Sequence, residues 1–188
     1  MSSVAARSLG RDVFVIHGRN KKARREFFDF LRAIGLRPIE WGEAQARVPD
    51  GSPNIWDTVD TLIGGQHAIV VLLTPDDIVR LDTAHADDED DPELLATGQA
   101  RPNVVFEAGV AFGRCPELTV LVEFGKVRRF TDLDGRFKVR LDNSPQKRVE
   151  LANRLKAIGC PVDTVGKDWL VSGDLTPPVL SEQGAATS

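Results

Sequence analysis

The chain has little cysteine, few histidines, no long apolar run and no excess of positive charge, and each shortage removes a class of function. Its two cysteines, Cys115 and Cys160, show neither a disulfide framework nor metal-knuckle spacing. The three histidines, His17, His67 and His85, are not spaced as metal ligands, and His67 and His85 read as surface residues; no metal is expected. The longest apolar runs, such as Ala68 to Leu73, are far too short to cross a bilayer, so no membrane partner is expected. A net charge of -4 argues against the basic footprint of a duplex-binding protein. Lys21, Lys22, Arg24 and Arg25 do cluster, but on a helix whose other face is apolar, which is the pattern of a solvated face. The first ten residues lack the apolar centre of a secretory signal, and a reducing cytoplasm is the expected location. The dinucleotide fingerprint, the phosphate-loop motif and the serine-hydrolase elbow are all missing, which weakens hydride-transfer, kinase and serine-hydrolase readings.

What is present is a rhythm. At 188 residues one domain is expected, placed at residues 11–174 with flexible tails at 1–10 and 175–188. Val13–Ile16 reads as a buried parallel strand that ends in the turn His17-Gly18-Arg19-Asn20. Ala23, Phe27, Phe30, Leu31 and Ile34 form a helical stripe stopped by Gly35. Leu36–Trp41 reads as a second strand, followed by a polar flap at Gly42–Pro53. Asn54 caps a helix with Ile55, Val59, Leu62 and Ile63 buried and Gly64-Gly65 at its end, and Ala68–Leu73 is a central strand. Thr74–Ala100, with the acidic run Asp87 to Asp91, reads as a mobile surface loop. Strands at Leu118–Phe124 and Phe137–Leu141 flank a turn-rich connection. Ser144 and Pro145 then open a last helix that buries Leu151, Ala152, Leu155 and Ile158 and closes at Gly159. Little is expected to pack beyond Val171.

Five strands alternating with helices imply an α/β, flavodoxin-like, doubly wound parallel sheet of order 2-1-3-4-5. In that order ligands bind beyond the carboxyl ends of strands one and three. Pro102 suits the first position of a helix running to Gly113, on which Asn103, Glu107, Val110 and Arg114 share a face, while Val104, Ala108 and Ala111 face the sheet. Gly109 and Gly113 would let other backbone approach. Glu107 is a lone acid among small and apolar residues, so it is either a structural acid bonded to neighbouring amides or Arg114, or a functional one. The crevice rule gathers Glu107 with His17, Gly18 and Arg19 after strand one, Thr74 to Asp77 after strand three, and Trp41-Gly42 next door. His17 either binds a ligand or hydrogen-bonds its loop, and the turn can offer amides and a guanidinium to a diphosphate. One carboxylate suits chemistry at a sugar carbon. Cleaving an N-glycosidic bond to a cationic group such as nicotinamide needs no general acid, only negative charge near the developing oxocarbenium and a grip on the ribose hydroxyls.

Three segments, Val13 to Asn20, Arg101 to Gly109 and Leu141 to Pro145, resemble the bacterial TIR-like domains described as nucleotide-binding proteins. That family includes effectors of cyclic-nucleotide anti-phage defence, some fused to STING-like sensors. The resemblance spans about residues 11–174, with Asn103 to Gly109 its most specific part. It implies an NAD-cleaving enzyme in which Glu107 is catalytic and NAD is a substrate rather than a cofactor. The crevice residues His17, Gly18, Arg19, Trp41, Gly42, Thr74 and Asp77, with Asn103 on the Glu107 helix, are then the expected substrate contacts, with Trp41 stacking on a planar base unless it belongs to the core. It also implies a homo-oligomer on activation, through the flap, and a cyclic-nucleotide-sensing domain or chain as partner. The alternatives are a non-enzymatic TIR scaffold, a nucleotide-binding module, and a nucleoside deoxyribosyltransferase-like enzyme.

Overall fold

The strands β1 (Asp12–His17) and β3 (Ala68–Leu73) are almost wholly apolar because helices cover both faces of the sheet to which they belong. They are flanked by β2 (Arg37–Ile39), β6 (Thr119–Glu123) and β7 (Lys138–Arg140), in the order β2-β1-β3-β6-β7 with every pair parallel. Val13 stands opposite Pro38 on one side and Ala68 on the other, and Ile69 opposite Thr119. The computed structural model describes residues 8–52, 54–64, 67–130, 135 and 137–180. Pro53 of the flap, Gly65, the side chain of Ile63, part of the 125–135 connection, and residues 1–7 and 181–188 of the expected tails lie outside that set.

The helices α1 (Lys21–Ala33), α3 (Ile55–Gly64), α4 (Pro102–Arg114) and α5 (Pro145–Ala157) follow the expected stripes, with a short α2 (Trp41–Gln45) between β2 and α3. Asn20 Oδ1 accepts from Ala23 N at 2.9 Å, Asn54 Oδ1 from Trp56 N at 2.8 Å, and Ser144 Oγ from Lys147 N at 3.3 Å, so each cap satisfies an amide that its helix leaves free. α1 and α5 meet the single turn Asp168–Leu170 on one side of the sheet, and α3 packs on α4 on the other.

Four expectations change. β2 ends at Ile39 and Trp41 begins α2, so the flap carries a turn of helix. The segment Thr74–Ala100 is not a structureless loop: β4 (Asp77–Val79) and β5 (Thr97–Gln99) pair antiparallel, with Ile78 opposite Gly98. Leu81 N donates to Glu93 O, and Glu93 pairs with Arg128, so the ribbon closes around the acidic run. His67 is half-buried beside Arg47 rather than on the surface. The tail boundaries also move, because Leu9 and Leu175 are buried and Leu9 N donates to Gly159 O at 2.9 Å.

A buried cation holds the strap from Ser172 to Leu175. Arg148 is 1% exposed, and its guanidinium donates to Ser172 O, Gly173 O and Asn143 Oδ1 at 2.5, 2.6 and 2.7 Å. Burial pulls its pKa below the usual arginine range. Gly173 has φ +70°, and a Cβ there would lie 2.1 Å from Glu26 O, so no other residue fits. Replacing Arg148 by Met keeps most of the volume but strands the carbonyl oxygens of Ser172 and Gly173, while Asn143 Oδ1 keeps the amide of Leu175. A loss of about 2 kcal/mol is expected in urea unfolding, with faster proteolysis near Val171.

Candidate active site

A cleft of about 240 Å³ opens at the carboxyl edge of the sheet, where the chain passes from β1 to β2 on one side and to β3 on the other. β1 supplies Phe14, Val15, Ile16 and His17, the following turn Gly18 and Arg19, α2 supplies Trp41, and the start of α4 supplies Arg101, Asn103, Val104 and Glu107. Six of the nine expected site residues line it together. The other three lie elsewhere. Thr74 is buried, Gly42 has open space around its Cα, and Asp77 stands on β4, where it pairs with Arg101. Gly109 and Gly113 also face open space rather than neighbouring backbone.

α4 aims Glu107 inward because Val104, Ala108 and Ala111 bury the adjoining stripe against the sheet. Arg114, its one plausible structural partner on the helix, instead holds Asp60 at 3.2 Å and covers the ring of Trp56. Glu107 makes no hydrogen bond or ion pair among the described residues. Desolvation pushes its pKa up to about 7. A carboxyl group held there changes charge at neutral pH, and a nearby cation would restore the ionised form.

The turn after β1 is fixed by an acid from the turn after β3. Asp76 Oδ2 accepts from the amides of Arg19 and Asn20, the latter at 3.3 Å, while Oδ1 is buried without a partner. A Cβ on Gly18 would lie 1.9 Å from Oδ2, so the glycine gives the carboxylate its room. This corrects the expectation that the turn offers its amides to a diphosphate, since Asp76 already holds two of them. His17 Nδ1 lies 2.8 Å from Gly18 O, a carbonyl that can only accept, so Nδ1 carries a proton. The ring stands edge-on to Phe28 at 6.0 Å. Trp41 rests against Phe14, with centroids 5.7 Å apart, so it belongs to the core and to the cleft wall at once.

Sequence reasoning gathered Asp76 into the crevice without giving it a role, and it missed Arg101. The signal for Asp76 was an acid three residues past the central strand. For Arg101 it was a cation just before the proline that starts the Glu107 helix, at the end of α4 nearest the crevice.

With this geometry in place, residues 12–143 match the family described as "CAP12/Pycsar effector protein, TIR domain". The chain belongs to that family. It is also 30% identical over 158 residues to the "Uncharacterized protein YuaY" of Escherichia coli (strain K12), a match covering 84% of this chain and 48% of that protein. The chain thus spans about half the length of the curated relative it matches. Among the described residues no helix is long and apolar enough to cross a membrane.

The raised pKa of Glu107 has a thermodynamic signature. Its folded value, about 7, lies above the ordinary 4.5, so the contribution is fully present below about pH 4.5 and is lost as pH rises through 7. Glutamine carries no such loss. The melting temperature of Glu107→Gln relative to wild type is therefore expected to be nearly level at pH 4 and clearly higher at pH 8. A pH-independent difference measured by calorimetry would contradict the burial of an unpaired acid.

Proposed function

We propose that the chain is an NAD glycohydrolase of TIR type that cleaves NAD to nicotinamide and ADP-ribose and acts as an anti-phage effector. The observation that carries the reading is Glu107: an unpaired, half-buried carboxyl group at the switch point of the sheet, on the cleft wall beside Asn103 and Trp41. The positive nicotinamide ring beside Glu107 favours its ionised form. The bond from ribose C1′ to the ring nitrogen then breaks with its electron pair passing to nitrogen, and neutral nicotinamide leaves. The carboxylate stabilises the oxocarbenium left behind. Water adds to C1′ and releases a proton, giving ADP-ribose. Asn103 lies one helical turn before Glu107, where it can hold a ribose hydroxyl, and the face of Trp41 suits the planar ring. Activity is proposed to switch on when copies of the chain assemble through the flap after β2, under control of a cyclic-nucleotide-sensing domain or chain.

Nicotinamide release is the direct test. The purified chain at high concentration with a crowding agent is expected to release nicotinamide from NAD, at a rate that rises steeply with protein concentration. Glu107→Gln should lose about 10²–10³-fold or more of that rate. An active, folded Glu107→Gln variant would sink the assignment. For the wild type, kcat/KM should rise with pH through about 7 and level off above it, because the ionised form of the free enzyme is the working one. A profile flat from pH 5 to 9 would take Glu107 out of the chemistry.

A further inference from the structure

We propose that Arg101 grips the diphosphate of the dinucleotide and that Asp77 holds this arginine when the cleft is empty, an inference that rests on the NAD-cleaving reading above. The donors expected to take a diphosphate in this fold are the amides of the first turn, and Asp76 occupies those of Arg19 and Asn20. The remaining cationic donors on the cleft wall are two guanidinium groups, Arg19 and Arg101. Four other arginines are spoken for: Arg24, Arg37, Arg47 and Arg114 each donate a hydrogen bond to a carboxylate. Among the described residues, the side chains of Arg19 and Arg101 donate none. Arg19 is exposed on the turn. Arg101 is half-buried, and its backbone is set by Pro102 at the head of α4, so it is the better-organised of the two.

Its one ion pair among the described residues is loose. Arg101 Nη1 lies 3.6 Å from Asp77 Oδ1, too far for a hydrogen bond, with both side chains about one third exposed. A diphosphate offers the same guanidinium a bidentate, charge-assisted contact and would displace the aspartate. Position supports the choice. Arg101 precedes Glu107 by six residues, roughly 9 Å along the helix at about 1.5 Å per residue, with Asn103 between them. One wall thus presents, in order, a cation, an amide and a carboxylate, matching phosphate, ribose hydroxyl and glycosidic carbon of one nucleotide half. Asp77 is then a positioning residue that acts through Arg101, which accounts for its place outside the cleft.

The test is calorimetric titration of ADP-ribose and of nicotinamide riboside, which has no phosphate, into the full chain carrying Glu107→Gln. Arg101→Gln added to that background should weaken ADP-ribose about tenfold or more and leave nicotinamide riboside unchanged. Arg101→Lys should recover only part of the loss, because an ammonium cannot bind bidentately. Asp77→Asn should act in the opposite direction, tightening ADP-ribose about two- to fivefold with the riboside unchanged. Equal weakening of both ligands by Arg101→Gln, unaltered ADP-ribose affinity, or no ADP-ribose affinity in the parent would each overturn the grip. An Asp77→Asn variant that binds more weakly would overturn the restraint. Nicotinamide release by the wild-type chain is scored separately. Its failure beside an intact Arg101 effect would remove NAD cleavage and leave a diphosphate site standing.

Discussion

The carboxylate of Asp76 ties the two halves of the sheet together at the point where its winding reverses. β1 feeds α1 on one side, β3 feeds the ribbon and α4 on the other, and nothing in parallel strand pairing itself fixes the two following turns against each other. Asp76 does so by accepting two amides across that gap, at the positive end of α1. The placement of His17, Arg19 and the cleft floor follows from this contact, and so does the identity of residue 18, where any side chain would collide with the acid. The same contact decides the chemistry of the site. On the proposed reading, a turn already satisfied by an internal anion leaves the holding of a phosphate to side chains.

Glu107 is organised on the opposite plan. The core around it is satisfied: the stripe Val104, Ala108 and Ala111 is buried, and the one nearby cation on α4 is turned away to Asp60. Its own carboxyl group is desolvated and left without a partner. Such a group opposes folding at any pH where it is ionised. The helix accepts it because the surrounding sheet, with β1 and β3 almost entirely buried, supplies far more apolar burial than one uncompensated acid removes. A residue that the fold carries at a loss, in the crevice that the topology creates, is what the proposed cleavage calls for.

Much of this was legible in the sequence because the elements that build the site obey simple periods. The strand order, the caps at Asn20, Asn54 and Ser144, and the inward stripe of α4 all follow from local chemistry and spacing. What was not legible depended on contacts between distant segments. The ribbon of β4 and β5 joins two three-residue runs across a polar stretch, and no periodicity can be read from three residues. Arg148 shares the stripe of Leu151, Ala152 and Leu155 on α5, but nothing local to the helix supplies its partners, the carbonyl oxygens of Ser172 and Gly173 some 25 positions on. Thr74, Asp77 and Gly42 were assigned to the cleft by proximity to strand ends, but a strand end leaves the direction of each side chain open. Thr74 is buried, and the ribbon carries Asp77 out of the cleft lining to a pairing with Arg101.

Size gives the last constraint. The cleft holds about 240 Å³, below the roughly 300–1,000 Å³ of sites that enclose a small ligand. It can take one ribose and its base against Trp41 and Glu107, but not a whole dinucleotide. On the proposed reading, the second nucleotide must therefore lie over the rim, past Arg19 and Arg101, on surface that a single copy of the chain leaves open to water. Water there weakens every charge interaction on which the cleavage depends, because the attraction between a carboxylate and a developing cation scales inversely with the local dielectric. Covering that rim would strengthen the field of Glu107 at the glycosidic carbon and the hold of Arg101 on the diphosphate in a single step. Assembly through the neighbouring flap thus offers a physical route to activation that needs no rearrangement of the catalytic wall itself.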